Sequence, residues 1–273
     1  MALTIDYAGK TVVVIGGTSG INLGIAEAFA RHGARVAVAS RSEQKVSAAV
    51  ARLEALGAKA IGRVFDVRQA DAVRTGMKDF HDALGPFDVV VSGAAGNFPA
   101  TAVGMSPNAF RSVIDIDLMG SYHVAREGFP WLRKPGGALI QISAPQSLLP
   151  AALQAHVCAA KTGVDMLTRV LAMEWGPTGI RVNSIVPGPI AGTEGMARLA
   201  PTPELKERVR NSVPMKRDGT PPDIANAALF LGSPLASFVT GAVIPVDGGW
   251  SLGGYSVMMA GLQALLEQPQ AKP

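Results

Sequence analysis

The stretch Thr11–Gly24, TVVVIGGTSGINLG, decides the fold. A short apolar run precedes a glycine-rich turn, and the residues after the turn have the pattern of an amphipathic helix. Glycines let such a turn curve tightly and approach a pyrophosphate, whose charge the amides at the helix N-terminus can hold. Structural turns also use glycine, but the place of this one between a strand and a helix predicts a nucleotide-binding βαβ unit.

Short apolar runs alternate with helix-length amphipathic segments along the rest of the chain. Apolar strands separated by helices indicate a parallel sheet that is covered on both faces. Right-handed crossovers then give a doubly wound α/β fold of the Rossmann type, with ligands at the carboxyl ends of the strands. The expected strands are 11–15, 34–39, 60–65, 87–92, 137–142, 180–186 and 242–246.

Length and composition favour a single domain over residues 1–273, since 48% of the residues are hydrophobic and can bury a large core. The segment 187–215 is too long for an ordinary connection and predicts a flap over a substrate. In the C-terminal tail, 252–273, residues 258–267 have the pattern of a short amphipathic helix that covers either a partner or the mouth of a site.

Several partners and locations are not expected. The net charge of +4 comes without a basic cluster, so nucleic acid is not a predicted partner. No apolar run approaches the roughly 20 residues that span a bilayer, and we expect no membrane association. The histidines and the one cysteine have no metal-ligand spacing, so no metal is expected. The N-terminal residues do not resemble a leader and QAKP is not a peroxisomal address, which favours a cytoplasmic location.

The end of the second strand indicates the choice of cofactor. An NAD-specific protein places an acidic side chain here to bind the ribose hydroxyls, whereas this chain has Ser40 and Arg41. Ser40 does not repel a 2′-phosphate, and Arg41 can pair with one and stack on the adenine. We therefore predict NADPH rather than NADH, the alternative being that Arg41 is a solvated loop residue.

Motifs along residues 8–249 resemble those of the short-chain dehydrogenase/reductase family. Besides the glycine loop they are Asp66-Val67, Ala94-Ala95-Gly96, Lys161, Arg181–Ser184, Pro187-Gly188-Pro189, Val239–Gly241 and Val246–Gly249. Asn22 departs from the pattern, because the family's loop has its last glycine there. With the loop and the second strand, the resemblance implies that the cofactor is bound by Gly16, Thr18, Ser19, Gly20, Ile21, Ser40, Arg41, Asp66, Val67, Ala94, Ala95, Gly96, Lys161, Pro187, Gly188 and Ile190.

The catalytic positions depart from the family further. The family's tyrosine lies four residues before the lysine, which is Lys161 here, and that position is Val157. The position of its partner serine is Ala144, and an asparagine of the central helix is replaced by Asp117. The tyrosine of bacterial enoyl reductases, seven residues before the lysine, is also absent, because that residue is Gln154.

These losses restrict the chemistry. Reduction of an isolated ketone generates a basic alkoxide that needs an acid at once, so carbonyl reduction without the tyrosine is expected to be poor. Hydride addition to a carbon conjugated with a thioester instead moves charge onto the carbonyl oxygen, which needs only hydrogen-bond donors during that step. The final proton goes to carbon, and a water activated beside Lys161 and Asp117 is the predicted source.

A closer resemblance, to peroxisomal-type 2,4-dienoyl-CoA reductases within this family, points to the same chemistry. It rests on AAGNF at 94–98, DID at 115–117, QAH at 154–156 and PGPIAGTEG at 187–195. Those enzymes also lack the tyrosine, and the resemblance implies that Asp117 and Lys161 act in protonation. The residues predicted to contact substrate are Asn97, Phe98, Ser143 and His156, although Phe98 has the alternative of a core position and His156 that of a structural role.

We therefore predict NADPH-dependent reduction of an unsaturated acyl-CoA, with 2,4-dienoyl-CoA giving 3-enoyl-CoA as the favoured reaction. One alternative is a trans-2-enoyl-CoA reductase. Another is a non-catalytic NADPH-binding protein, motivated by Ala144, Val157 and Asn22. Relatives are commonly tetramers with interfaces on the helix after Lys161 and on the C-terminal strand, so the resemblance implies a homotetramer.

Overall fold

Seven parallel strands form a single sheet in the computed structural model, which describes residues 5–267. Their order is β3-β2-β1-β4-β5-β6-β7, and every neighbouring pair is parallel. This order confirms the predicted doubly wound α/β fold. The strands are β1 Thr11–Ile15, β2 Arg35–Ser40, β3 Ala60–Val64, β4 Val89–Ser92, β5 Ala138–Ile142, β6 Arg181–Pro187 and β7 Val243–Val246.

Ten α-helices connect the strands or follow them within the described residues. They are α1 Gly20–Arg31, α2 Glu43–Ala55, α3 Ala70–Leu84, α4 Pro107–Val113, α5 Gly120–Gly128, α6 Ala155–Trp175, α7 Glu194–Leu199, α8 Pro203–Ser212, α9 Pro221–Gly232 and α10 Gly254–Leu266. A π-helix, Ile114–Met119, joins α4 to α5 without a break. None of the described helices is long and apolar enough to cross a membrane.

The core lies in two layers because successive side chains of a strand point to opposite faces. On β1, Val12 and Val14 pack into the layer beneath α1, α2 and α9, whereas Val13 and Ile15 pack into the layer beneath α3, α5 and α6. All five residues of β1 are buried. The continuous apolar run in the sequence thus reflects a central strand that is covered on both sides.

A third apolar cluster lies outside the sheet and brings the end of the chain to its carboxyl edge. Residues of α7, α8 and α10 form it, and the loop before α6 packs against it. The predicted flap, 187–215, contains the end of β6 followed by α7 and α8. The predicted C-terminal helix begins at Gly254, four residues earlier than expected, and residues 268–273 of the predicted tail lie outside the described part.

Candidate active site

A cavity of about 660 Å³ opens at the carboxyl ends of the strands. Its wall is formed by the loops that follow β1 to β6, by the segment 192–199 and by α10. It lies where the strand order reverses between β1 and β4, the usual binding position in an open parallel sheet. Every residue that the sequence predicts to bind the cofactor lines this cavity.

The glycine loop has the shape that a dinucleotide needs. Gly16 has a φ of +79°, and a Cβ atom there would lie only 2.9 Å from the backbone nitrogen of Ala94. Ser19 precedes α1 but its side chain makes no capping bond, and the first turn of α1 has no acidic residue. The first amides of α1 are therefore available to an anionic group, and these residues fit the pyrophosphate of a nicotinamide dinucleotide.

Asn22, which stands in place of the expected glycine, links α1 by a hydrogen bond to the residue that follows β4. Its Nδ2 donates a hydrogen bond of 2.7 Å to the carbonyl oxygen of Gly93. A Cβ atom at residue 93 would lie 2.4 Å from the amide of Asn22, so Gly93 is required for this contact. The departure from the family's loop is thus accommodated by close packing at the edge of the cavity.

A basic region lies beyond β2, where the sequence predicts recognition of a 2′-phosphate. Arg41 lines the cavity there, and so does Lys45 on the first turn of α2. Ser42 caps that helix by accepting a hydrogen bond from the backbone N–H of Lys45. The sequence analysis missed Lys45, although Ser42 is an N-cap residue type that predicts a helix start and so places Lys45 in the first turn, near Arg41.

Lys45 also connects this region to the segment after β6. Its Nζ lies 3.2 Å from Oε1 of Glu194, the first residue of α7. Glu194 in turn accepts from Arg198, which also donates to the carbonyl oxygen of Asn97. These contacts join α2, α7 and the loop after β4 across the cavity.

Asp66 and Val67 form the adenine side of the predicted cofactor site, at the end of β3. The carboxylate of Asp66 accepts hydrogen bonds from the guanidinium and the backbone N–H of Arg68. Hydrogen bonding by Arg68 holds the pKa of Asp66 below its ordinary value. The acid therefore stays ionised and fixed in place near neutral pH.

Lys161 and Asp117 form a buried pair at the centre of the site. Lys161 Nζ lies 3.2 Å from Asp117 Oδ2 and donates a hydrogen bond of 3.1 Å to the carbonyl oxygen of Ile142. Asp117 Oδ1 accepts a 2.6 Å bond from the backbone N–H of Gly96. The side chains are only 5% and 1% exposed. The pair thus connects the loop after β4 and the end of β5 with α6 and the π-helix.

The π-helix explains how Asp117 reaches this position. A widened turn inside a helix shifts the following side chains and is frequent at functional sites. Asp117 Oδ2 has no hydrogen-bond donor of good geometry among the described residues, despite the nearby ammonium. That oxygen therefore keeps its capacity to accept a hydrogen bond from a water or a substrate.

The positions of the missing catalytic groups also lie in the cavity wall. Val157 is 2% exposed and packs against Val113 and Ala160, and Ala144 lines the cavity nearby. Neither side chain can give a proton. Ser143 lines the same wall, and its buried Oγ has no hydrogen-bond partner in the described chain.

The predicted substrate residues separate into two groups. Asn97 and Ser143 line the cavity, whereas Phe98 and His156 do not. The imidazole of His156 is fully buried against the ring of Phe98, with 4.4 Å between centroids. Its burial lowers its pKa, which the Phe98 carbonyl and Asp117 oppose more weakly. The imidazole of His156 is therefore neutral and packs behind the cavity wall. This placement gives no support to substrate contact by either His156 or Phe98.

Other cavity residues have only a weak signal in the sequence. Gln146 lies in a 3₁₀ turn after β5, and its Nε2 donates to Gln154. Tyr255 and Met258 come from α10, whose amphipathic pattern did not distinguish a partner surface from the mouth of a site. Both residues line the cavity, which agrees with the alternative that this helix covers the mouth of a site. No group of three or more His, Cys, Asp or Glu side chains within residues 5–267 is arranged to hold a metal ion.

The fold and this site define the class of protein. A family model described as enoyl-(acyl carrier protein) reductase matches residues 16–251. The chain belongs to the short-chain dehydrogenase/reductase family. Among its relatives, the rat peroxisomal 2,4-dienoyl-CoA reductase that produces (3E)-enoyl-CoA is 43% identical over 88% of this chain and 83% of its own. The Arabidopsis thaliana enzyme of the same name is 40% identical over 88% and 84%.

A solved structure with the same fold carries a related feature. The NADPH-bound short-chain oxidoreductase of Pseudomonas aeruginosa PAO1, described as containing an atypical catalytic center, superposes with a TM-score of 0.84. It is 29% identical and covers 90% of this chain and 98% of its own. A bound nicotinamide cofactor is thus observed in this fold beside a catalytic center that is described as atypical.

The buried pair gives a prediction about stability that is independent of any substrate. Lys161→Met should lower the free energy of unfolding by about 3 kcal/mol, because Asp117 then stays buried without its counter-ion. Adding Asp117→Asn should recover much of this loss, since an asparagine oxygen can still accept from Gly96. Urea unfolding at neutral pH measures both changes.

The matched control is Lys78→Met, which removes a lysine paired with Asp82 on the exposed face of α3. Solvent screens that pair, so little change is expected. A loss in Lys161→Met no larger than that in the control would contradict the stabilising role of the buried pair.

Proposed function

We propose that this chain reduces a 2,4-dienoyl-CoA to a 3-enoyl-CoA with NADPH as the cofactor. The observation that carries the proposal is a site in which Lys161 and Asp117 form a buried pair while Val157 and Ala144 occupy the positions of the family's acid and its partner. A site without that acid suits reduction of a conjugated carbon–carbon bond better than reduction of a ketone. The names of the rat and Arabidopsis relatives support the same reaction.

The residues divide the work between the two halves of the cavity. The glycine loop and the start of α1 would hold the pyrophosphate, and Lys161 the ribose beside the nicotinamide. When bound, NADPH supplies a hydride, with both electrons of the reduction, to the far end of the diene. The conjugated electrons then shift toward the thioester oxygen, where hydrogen-bond donors from the cavity wall stabilise the charge.

Proton delivery depends on the buried pair. The carbon next to the thioester carbonyl takes one proton, which leaves the remaining double bond between the third and fourth carbons. Asp117 Oδ2 is free to accept a hydrogen bond from a water, and the ammonium of Lys161 lies beside it. We assign to this pair the role of holding and polarising that water.

An apolar part of the cavity wall is suited to an acyl chain. Met196 and Leu199 of α7 line the cavity, and so does Met258 of α10. Flexible methionine side chains adapt to apolar ligands of varied shape. The segment proposed as a substrate flap contributes part of this wall, which supports an acyl rather than a polar substrate.

The reaction is tested by following NADPH oxidation with a 2,4-dienoyl-CoA, a trans-2-enoyl-CoA and a simple ketone. Turnover of the diene alone is expected, with a 3-enoyl-CoA as the product, and Lys161→Ala should reduce the rate by about 10²-fold or more. Lys78→Ala, on the distant surface of α3, serves as the control and should retain full activity.

Other outcomes of this experiment identify the alternatives. Equal turnover of the 2-enoyl-CoA would mean that the second double bond is not required, and the chain would be a trans-2-enoyl-CoA reductase. NADPH binding without oxidation by any of the three substrates would mean a non-catalytic binding protein.

The preference for NADPH over NADH is a second proposal, supported by Arg41 and Lys45 in the cavity wall. Arg41→Asp should weaken NADPH binding by at least about tenfold, because a charge-assisted contact with the 2′-phosphate is replaced by repulsion. NADH binding should change much less, as measured by titration of each cofactor.

Lys59→Asp makes a comparable change in charge at an exposed position outside the cavity and should alter neither affinity. If Arg41→Asp weakens both cofactors equally, Arg41 does not recognise the 2′-phosphate.

We also propose that the protein is a homotetramer. Met166, Val170 and Met173 are exposed on one side of α6, and Phe238 and Leu252 are exposed near β7. Their spacing on α6 gives an apolar stripe of the kind that pairs with a second copy across a two-fold axis. Sedimentation velocity at micromolar concentration should give the mass of four chains, and a monomer would contradict this proposal.

The cytoplasmic location stays a prediction, since the rat and Arabidopsis relatives are named as peroxisomal.

A further inference from the structure

Tyr255 is a buried residue of the cavity wall whose hydroxyl has no partner. The side chain belongs to the first turn of α10 and is 2% exposed. Its hydroxyl is buried and forms no hydrogen bond within residues 5–267. A phenol hydroxyl in such a place normally finds a partner, because burying it unpaired is unfavourable. An unpaired polar group in the wall of a cavity therefore points to a partner supplied by a ligand.

Tyr255 lines the same cavity as Val157, the position of the missing acid. It belongs to the apolar cluster against which Leu149, Ala151 and Leu153 pack, and these residues lead into α6. A phenol that α6 lacks is thus present on a different helix that lines the same cavity.

Two further polar atoms of cavity-lining residues are also without partners. Ser143 Oγ and Gln146 Oε1 are buried and form no hydrogen bond with described residues. Together with the hydroxyl of Tyr255, unpaired buried polar atoms of the cavity lining thus occur after β5 and at the start of α10. This arrangement is expected of a wall that is completed by a polar group of the substrate.

We propose that the hydroxyl of Tyr255 donates a hydrogen bond to the thioester carbonyl oxygen of the bound substrate. This proposal deepens the proposed reductase function and rests on it. In that reaction the carbonyl oxygen gains negative charge as the hydride arrives at the far end of the diene. A donor that is already in place stabilises this charge without reorganisation.

The state of the phenol suits a donor and not a base. Burial raises the pKa of Tyr255 far above its ordinary value, so the hydroxyl keeps its proton throughout the physiological range. The electron balance requires no proton from it, because the hydride and one proton taken up from water at the carbon next to the carbonyl complete the reduction. Tyr255 would therefore strengthen its hydrogen bond in the transition state while remaining neutral.

Tyr255→Phe tests this role with little risk to folding. The ring of Tyr255 packs edge-on against Trp250, with 5.0 Å between centroids, and phenylalanine retains that contact. The melting temperature should not fall, because no hydrogen bond of the described structure is lost. We expect kcat with a 2,4-dienoyl-CoA to fall by about 10²-fold with a much smaller change in KM, since the contact strengthens as charge develops.

Tyr122→Phe is the matched control, because Tyr122 is 40% exposed on α5 and outside the cavity wall. Its activity should equal that of the wild-type protein. If Tyr255→Phe also has an unchanged kcat, the hydroxyl does not act on the reacting group. A fall in melting temperature together with proportional losses in kcat and in folded protein would indicate a structural role and would overturn the proposal.

A spectroscopic measurement separates this proposal from the reductase function. The carbonyl stretch of a carbon-13-labelled dienoyl-CoA, bound to the NADP⁺ complex, should lie at lower frequency than in solution, because a donated hydrogen bond weakens the bond to oxygen. Tyr255→Phe should reverse much of that shift, and Tyr122→Phe none of it.

The two measurements have distinct consequences. A shift that depends on Tyr255 in a protein that does not oxidise NADPH would support the hydrogen bond and reject the reductase function. Turnover with a shift that is the same in Tyr255→Phe would support the function and reject the hydrogen bond. Absence of both binding and turnover would reject both proposals.

Discussion

The reversal of strand order between β1 and β4 is the constraint on which the site depends. From β1 to β3 the chain adds strands toward one edge of the sheet, and after β4 it adds strands toward the opposite edge. No connection therefore covers the carboxyl ends of β1 and β4. The crevice left there receives the glycine loop from one half and Asp117, Lys161 and Ser143 from the other. Binding of a nucleotide and chemistry on a second ligand meet at this point because the topology leaves it open.

Within the crevice, two opposite charges are buried side by side. A lysine and an aspartate are both almost fully buried, which is tolerated because the pair also bonds to the Gly96 amide and the Ile142 carbonyl. Ile142 ends β5 and Gly96 lies in the loop after β4, so the carboxyl edge of the sheet helps to hold the pair in position. The loss of the family's tyrosine leaves this part of the site intact, and an apolar valine fills the space without disturbing it.

Local patterns in the sequence predicted most of the fold and the residues that line the nucleotide half of the cavity. The alternation of apolar runs and helices predicted every strand, and the glycine loop, Arg41 and Lys161 were readable because their chemistry lies within short motifs. The structure was needed where tertiary packing decides which side chains face the cavity. His156 is adjacent to the cavity residue Val157, yet helix geometry turns its ring against Phe98 and away from the cavity. Lys45 and Tyr255 enter the site through tertiary contacts that no short motif records.

The contribution of α10 to the cavity separates two parts of the site along the chain. Residues up to Ile190 supply the nucleotide crevice and the buried pair, whereas Tyr255 and Met258 arrive only with the last helix that the structure describes. During synthesis the wall for the second ligand is therefore completed last, after the sheet has all its strands. In evolution the same separation lets sequence change in the final helix alter which ligands fit, while the glycine loop and the buried pair, which lie earlier in the chain, stay the same.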